Sequence, residues 1–246
     1  MIELLHTDCM EYMRGLPDKA FDLAIVDPPY GIGVGKMFIA KDRKDPRNGR
    51  VIKCKRTKRG EWDNERPCAE YFTELQRVSD SQIIWGGNYF ADLLPPSMGW
   101  VVWDKVNGES DQADCELAWT SYDKAVRQLR FMWHIAQGIS PERGHIAQGN
   151  ITLREARIHP TQKPVALYRW LLQNYAKPGQ RILDTHGGSM SIAIACDIEG
   201  YDLTLCELDR DYFEAGKKRL EQHQAQPRMF APEPIAQAEQ LTIDAE

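Results

Sequence analysis

Phe21-Asp22-Leu23-Ala24-Ile25-Val26-Asp27-Pro28-Pro29-Tyr30 is the stretch on which the fold turns. The run from Phe21 to Val26 is apolar apart from Asp22, follows a Pro17-Asp18 turn, and is stopped by two prolines that offer no backbone N–H. It predicts a short buried strand. Working outward, Ile83 to Trp85 ends at Gly86-Gly87, Trp100 to Trp103 ends at Asp104, and Arg181 to Leu183 ends at Asp184. These runs are continuously apolar rather than alternating, as expected of strands covered on both faces. Helical patterns cover Cys9 to Gly15, Ala69 to Val78, Val165 to Tyr175, Ser191 to Glu199 and Asp211 to Gln224. The class is therefore α/β: a doubly wound, mostly parallel sheet with helices on both faces.

Composition bounds the rest. The 246 residues fit one domain, with 42% hydrophobic and 27% charged residues and a mean hydropathy of -0.52. No run approaches the roughly 18 apolar residues of a membrane span. The opening Met1-Ile2-Glu3-Leu4-Leu5 has neither the basic nor the apolar region of a secretory signal, so a cytoplasmic location is expected. Six cysteines (Cys9, Cys54, Cys68, Cys115, Cys196, Cys206) form no C-x-x-C pair, which argues against a zinc site or a disulfide framework and predicts reduced, structural thiols.

The net charge of -5 is unevenly spread. Lys41, Arg43, Lys44, Arg47, Arg50, Lys53, Lys55, Arg56, Lys58 and Arg59 stand against only Asp42 and Asp45, so this segment carries +8 and the remainder -13. Residues 31–66 lack periodicity and are too long for an ordinary connection. A basic loop that contacts duplex DNA is expected, a solvated loop being the alternative. Beyond residue 226 the chain turns Pro-, Gln- and Glu-rich and reads as an unfolded acidic tail over 227–246. A pentapeptide recurs at His134-Ile135-Ala136-Gln137-Gly138 and His145-Ile146-Ala147-Gln148-Gly149; one duplication makes no solenoid, and no physical account of it is at hand.

Asp27-Pro28-Pro29-Tyr30 carries the sharpest chemistry, because open α/β sheets bind ligands at the carboxyl ends of their strands. An exocyclic amine on a nucleobase is a poor nucleophile while its lone pair is delocalised into the ring. The Asp27 carboxylate and the Pro28 carbonyl can accept its two hydrogens, Pro29 stiffens the turn, and Tyr30 offers a flat face for an extruded base. A merely structural turn would explain the prolines but not the acid and the aromatic together.

Asp-Pro-Pro-Tyr resembles the catalytic motif of DNA amino-methyltransferases, and three further stretches are similar to motifs of their β-class. His159-Pro160-Thr161-Gln162-Lys163-Pro164 looks like the motif that precedes the glycine loop. Ile182-Leu183-Asp184-Thr185-His186-Gly187-Gly188-Ser189 looks like the S-adenosylmethionine loop, with Glu207 closing the next strand as the ribose acid. His6-Thr7-Asp8-Cys9 resembles the motif whose acid meets the adenine of the cofactor. The order, catalytic motif first and glycine loop last, is that of the β-class, and the likeness spans about residues 5 to 221. It implies a Rossmann-like class I methyltransferase fold over residues 1–226. It further implies direct in-line transfer from S-adenosylmethionine to a flipped base, without a metal. Asp8, Asp27, Thr161, Lys163, Asp184, Gly187, Gly188, Ser189 and Glu207 would serve the cofactor, Lys163 and Thr161 at its methionine carboxylate. Within this family an Asp at the head of the motif points to adenine N6 and a Ser to cytosine N4. A homodimer is a family-level expectation; a companion restriction endonuclease is not inferable from the chain.

Read without the likeness, the second half is less specific. Glu207 lies 23 residues after Asp184, near the spacing of a ribose acid in a βαβ unit, and would suit a nicotinamide cofactor nearly as well, although no third glycine completes a G-x-G-x-x-G loop. Asp8 reads equally as a helix cap. His159 reads as a turn residue, and Trp62 either fills the gap left by a flipped base or belongs to the core. The loop departs from the family pattern at Met190, where a glycine is expected. A positive φ there costs about 1–2 kcal/mol, or else the side chain crowds the cofactor, which leaves a catalytically weakened DNA-binding relative as an alternative; Gly187, an additional glycine, is expected to relieve the turn.

Overall fold

The computed structural model describes residues 1–33, 63–106, 113–131, 158–159 and 161–226, with the backbone of two short strands at 43–44 and 51–52. In chain order the elements are β1 (Ile2–His6), α1 (Cys9–Arg14), β2 (Phe21–Val26), β3 (Arg43–Lys44), β4 (Val51–Ile52), α2 (Ala69–Val78), β5 (Ser79–Trp85), β6 (Trp100–Asp104), β7 (Cys115–Thr120), β8 (Arg127–Arg130), α3 (Val165–Tyr175), β9 (Arg181–Asp184), α4 (Ser191–Glu199), β10 (Asp202–Glu207) and α5 (Arg210–Gln224). Eight strands form one sheet in the order β1-β10-β9-β2-β5-β7-β6-β8, and β3 pairs with β4 antiparallel.

The five strands from β1 to β5 run parallel, with Leu23 opposite Ile182 and Val26 opposite Ile84. Only β7 reverses, antiparallel to both β5 and β6. From β9 the chain proceeds to β10 on one side, and from β2 to β5 on the other, so the carboxyl ends of β9 and β2 bracket the switch point where such sheets bind ligands.

Period-2 alternation sorts each strand's side chains into two cores. Leu23, Ile25, Ile83, Trp85 and Ile182 pack with α3 and α4; Phe21, Ala24, Val26, Ile84 and Leu183 pack with Tyr71, Phe72 and Leu75 of α2 and Met13 of α1. Burial on both faces explains why these strands are legible as unbroken apolar runs. At the far edge β8 buries only Leu129 of its four residues, which is why its sequence carries no strand signal.

The expected helices appear, the last one a residue early: Asp209 caps α5, its carboxylate accepting from the Asp211 and Tyr212 amides. Among the described residues no helix is long and apolar enough to cross a membrane, and no cluster of His, Cys, Asp or Glu could hold a metal. Cys9, Cys68, Cys115, Cys196 and Cys206 are free thiols. The acidic tail, the repeated pentapeptide, Cys54, Trp62 and the side chains of the basic segment lie outside the described residues.

Candidate active site

Four parallel strands deliver four acids to one edge of the sheet: β1 leads into Asp8, β2 into Asp27, β9 ends on Asp184 and β10 on Glu207. Asp8 is the N-cap of α1, its Oδ1 accepting from the Met10 amide at 2.7 Å and the Glu11 amide at 3.1 Å. The capping role is thus real.

The glycine loop between β9 and α4 is held from three sides. Gly187 donates to the Cys206 carbonyl at 2.8 Å, Gly188 donates to Glu207 Oε2 at 2.6 Å, and Arg219 of α5 donates to the Ser189 carbonyl at 2.7 Å. Gly188 has φ +48°, whereas Gly187 is glycine for a different reason: a Cβ there would stand 3.0 Å from Leu205 Cγ and closer still to its Cδ2. The extra glycine therefore relieves close approach to β10 rather than turn strain. Tyr71 and Thr185 exchange a hydrogen bond at 2.7 Å, and Thr185 Oγ1 lies 2.9 Å from His186 Nδ1. Burial pushes the His186 ring down to about 4, so it is neutral at pH 7.

Met190 does take the left-handed conformation, with φ 55° and ψ 31°. Its side chain does not crowd the loop: it is fully buried, in the core built from α3, α4 and the sheet, and lies against Gly216 of α5. Of the two expected consequences, backbone strain is present and crowding is not.

Asp184 is buried, with Oδ1 accepting from the His186 amide at 3.0 Å. Burial pushes its carboxyl up to about 8, against the pull of that hydrogen bond, and the Asp27 and Glu207 charges add to the rise. Glu207 is likewise raised, by burial first, despite accepting from Gly188 and Asp209. A buried acid, a glycine turn and a second acid at the edge of the next strand make a fitting cradle for the cationic amine and the ribose of S-adenosylmethionine.

The catalytic motif is closed on itself. Tyr30 Oη donates to Asp27 Oδ1 at 2.7 Å, and Lys163 Nζ donates to Asp27 Oδ2 at 2.5 Å and to Tyr30 Oη at 3.1 Å. Burial raises the Asp27 carboxyl while Lys163 pulls it down; burial and Asp27 together hold the Tyr30 phenol well above its ordinary range, so it remains a donor. One face of Tyr30 is stacked on Tyr89, with ring centres 4.9 Å apart and planes 16° apart. Gly86 (φ +70°) lies beneath the ring, where a Cβ would stand 2.6 Å from Tyr30 Cδ1.

The expectation that Lys163 faces a methionine carboxylate does not match its partners. The ammonium is 3% exposed and is engaged by Asp27 and by Glu116 Oε2 at 3.1 Å. Thr161 also turns elsewhere, its hydroxyl 3.1 Å from His159 Nδ1, while His159 anchors the turn by accepting from the Gln162 amide. Ser189 Oγ is paired with Ser191 Oγ at 3.0 Å.

Two residues that sequence reading did not single out complete the site. Glu116 lies in the half-buried first part of antiparallel β7, and the pairing of β7 with β5 and β6 brings it to Lys163. Asp63 is buried and accepts from the Tyr30 amide at 2.7 Å and the Gly31 amide at 3.0 Å, while its carbonyl accepts from Gly33. It thereby ties together the two ends of the segment 34–62 that bears the basic residues, directly beside Asp-Pro-Pro-Tyr.

The architecture is that of the class I methyltransferase fold: a doubly wound sheet with a glycine loop after β9 and an acid-proline-proline-aromatic turn after its neighbour β2. Residues 103–218 match the family described as DNA methylase, the N6/N4 type. The DNA adenine methyltransferase YhdJ of Escherichia coli (strain K12) is 23% identical over 89% of this chain and 82% of its own length. Among solved structures, the M1.HpyAVI–SAM complex superposes with a TM-score of 0.51 at 19% identity, covering 89% of this chain and all of that one. The cytosine-N4-specific PvuII DNA methyltransferase does so with a TM-score of 0.51 at 12% identity, covering 91% and 90%. These matches agree with the resemblance read from the motifs, and the proteins matched include an adenine and a cytosine-N4 enzyme.

Proposed function

We propose that this DNA amino-methyltransferase transfers a methyl group to the N6 of adenine in duplex DNA. The observation that carries the reading is the Asp27 carboxylate, presented at the end of β2 next to the glycine loop and held there by two donors, Tyr30 Oη and Lys163 Nζ. An amine entering the site displaces one of these and donates to the freed oxygen, while the Pro28 carbonyl accepts its second hydrogen. Drawing both hydrogens away localises the nitrogen lone pair, and holding it in line with the methyl donor supplies much of the rate. S-adenosylmethionine, the methyl donor of this family, provides an electrophilic methyl group when bound. Asp184 would hold its amine, Glu207 its ribose, and Gly187 and Gly188 would let it approach the backbone. The basic residues between Lys41 and Arg59 would neutralise phosphates, their loop rooted at the site by Asp63.

Adenine is favoured over cytosine because the motif begins with Asp27 rather than Ser; the likeness to a cytosine-N4 enzyme keeps cytosine as the second reading. The test is incubation with unmethylated duplex DNA and methyl-labelled S-adenosylmethionine, then digestion and chromatography of nucleosides. Label in N6-methyladenosine that vanishes in Asp27→Ala supports the reading. Label in N4-methylcytosine replaces the base and keeps the mechanism.

A further inference from the structure

Beneath Asp27 runs a line of alternating charge that the transfer reaction does not itself require. Asp27 Oδ2 meets Lys163 Nζ at 2.5 Å, Lys163 Nζ meets Glu116 Oε2 at 3.1 Å, and Glu116 Oε1 meets Lys105 Nζ at 2.5 Å. All four side chains are at least three-quarters buried. Glu116 lies opposite Trp103 in the β6–β7 pair, and the Lys105 amide donates to the Asp114 carbonyl at 2.9 Å, so the hairpin itself sets Lys105 over Glu116. Lys163 stands 5.3 Å from the Trp85 ring centre and 5.6 Å from that of Tyr30, which walls the ammonium with aromatic faces.

Buried ion pairs seldom add net stability over apolar packing, because desolvation offsets the attraction. Three of them in a row, linking four charges under a reacting group, point to a different use. Glu116 Oε2 meets Lys163 as an ion pair without an aligned hydrogen bond, so it attracts the ammonium while Asp27 keeps the directed contact. Without the Glu116 charge the ammonium would have one carboxylate only. It would bind Asp27 more tightly, blunting it as an acceptor, and would be easier to deprotonate.

We propose that Glu116 is a positioning residue of this site: it shares the Lys163 ammonium with Asp27, keeping Lys163 charged and leaving Asp27 an acceptor for the incoming amine. This rests on the adenine-methyltransferase reading for its catalytic consequence, but the charge sharing can be read without activity.

The experiment follows lysine side-chain NMR of the full chain, 13C-labelled at Cε, as a function of pH in wild type, Glu116→Gln and Lys105→Met. Wild-type Lys163 should titrate above the ordinary lysine range. Glu116→Gln should lower that midpoint by about one pH unit or more, the scale of one opposite charge at this distance. Lys105→Met removes a like charge and should leave the midpoint unchanged or raise it. In methylation assays Glu116→Gln should lower kcat roughly tenfold with KM for DNA and cofactor within twofold, and bring the alkaline fall of kcat to lower pH. A purely structural role would lower the folded fraction without moving that limb. Should Glu116→Gln fail to fold, Glu116→Asp, which keeps the charge on a shorter stem, should give an intermediate midpoint. A Lys163 midpoint shared by wild type and the Glu116 variant, or shifts of one sign in both variants, overturns the proposal. A shifted midpoint in a wild type that methylates no DNA would instead overturn the function and leave the charge sharing standing.

Discussion

Gly216→Ala should destabilise this protein although it replaces a glycine in the middle of α5. In an unobstructed helix interior that change stabilises by about 1 kcal/mol. Here the new Cβ would stand 2.6 Å from Met190 Cγ and 2.8 Å from its Sδ, and 3.2 Å from Cε. Cγ is near the root of a fully buried side chain, not at a free end, so the chain cannot swing aside. Overpacking of this kind costs about 1–3 kcal/mol, which leaves a net loss of around 1 kcal/mol. Met190→Gly alone should also destabilise. It relieves left-handed strain of about 1–2 kcal/mol but empties a buried methionine's volume, at a cost of about 2–5 kcal/mol. In the Met190→Gly background Gly216→Ala meets nothing and should stabilise by about 1 kcal/mol, a coupling of about 2 kcal/mol between the two sites. Urea unfolding of the four proteins at a common m-value measures it. Equal effects of Gly216→Ala in both backgrounds would refute the idea that Gly216 is glycine because Met190 lies against it.

Asp184 sets a pH dependence. Its carboxyl titrates near 8 in the folded chain against an ordinary value of 3.8, so the folded state holds the extra proton between those limits. Its contribution is full below about pH 4, declines as pH rises through the window at up to about 1.4 kcal/mol per unit, and is gone above 8. Asp184→Asn should flatten that decline; an unchanged slope of stability against pH would show that another group is responsible. If a cationic amine docks on Asp184, S-adenosylmethionine binding at pH 7 should release close to one proton, seen as different calorimetric heats in buffers of different ionisation enthalpy; equal heats would count against that contact. Gly187→Ala should weaken cofactor binding tenfold or more by pushing the loop off Leu205, while Gly188→Ala acts through φ strain alone; equilibrium dialysis ranks the two. Asp63→Ala leaves the Tyr30 and Gly31 amides without their acceptor, worth about 1–3 kcal/mol for a buried group, and should raise KM for DNA more than KM for cofactor.

The local elements were legible because their causes are local. β2, β5 and β9 are buried on both faces, so their apolar runs are unbroken, and α2 and α3 carry a helical period, while α4 is buried throughout its first six residues and is marked by its length and by Gly200 at its end. Asp27, Asp184 and Glu207 could be placed at strand ends because strands end visibly at proline, at glycine or at charge. β7 and β8 escaped, since a strand exposed at its start and buried only at its end and a polar edge strand owe their pairing to neighbours far along the chain. Met190 was recognisable as an exception in the glycine loop, but its accommodation depends on Gly216 of α5, 26 residues on. Lys163 shows the division most plainly. Its motif identified it as a site residue, yet its partners were beyond reach of the sequence. A long flexible side chain goes to whichever buried charge the fold brings near, and Asp27 and Glu116, 136 residues and 47 residues away in sequence, meet it only once β2 and β7 have both paired with β5.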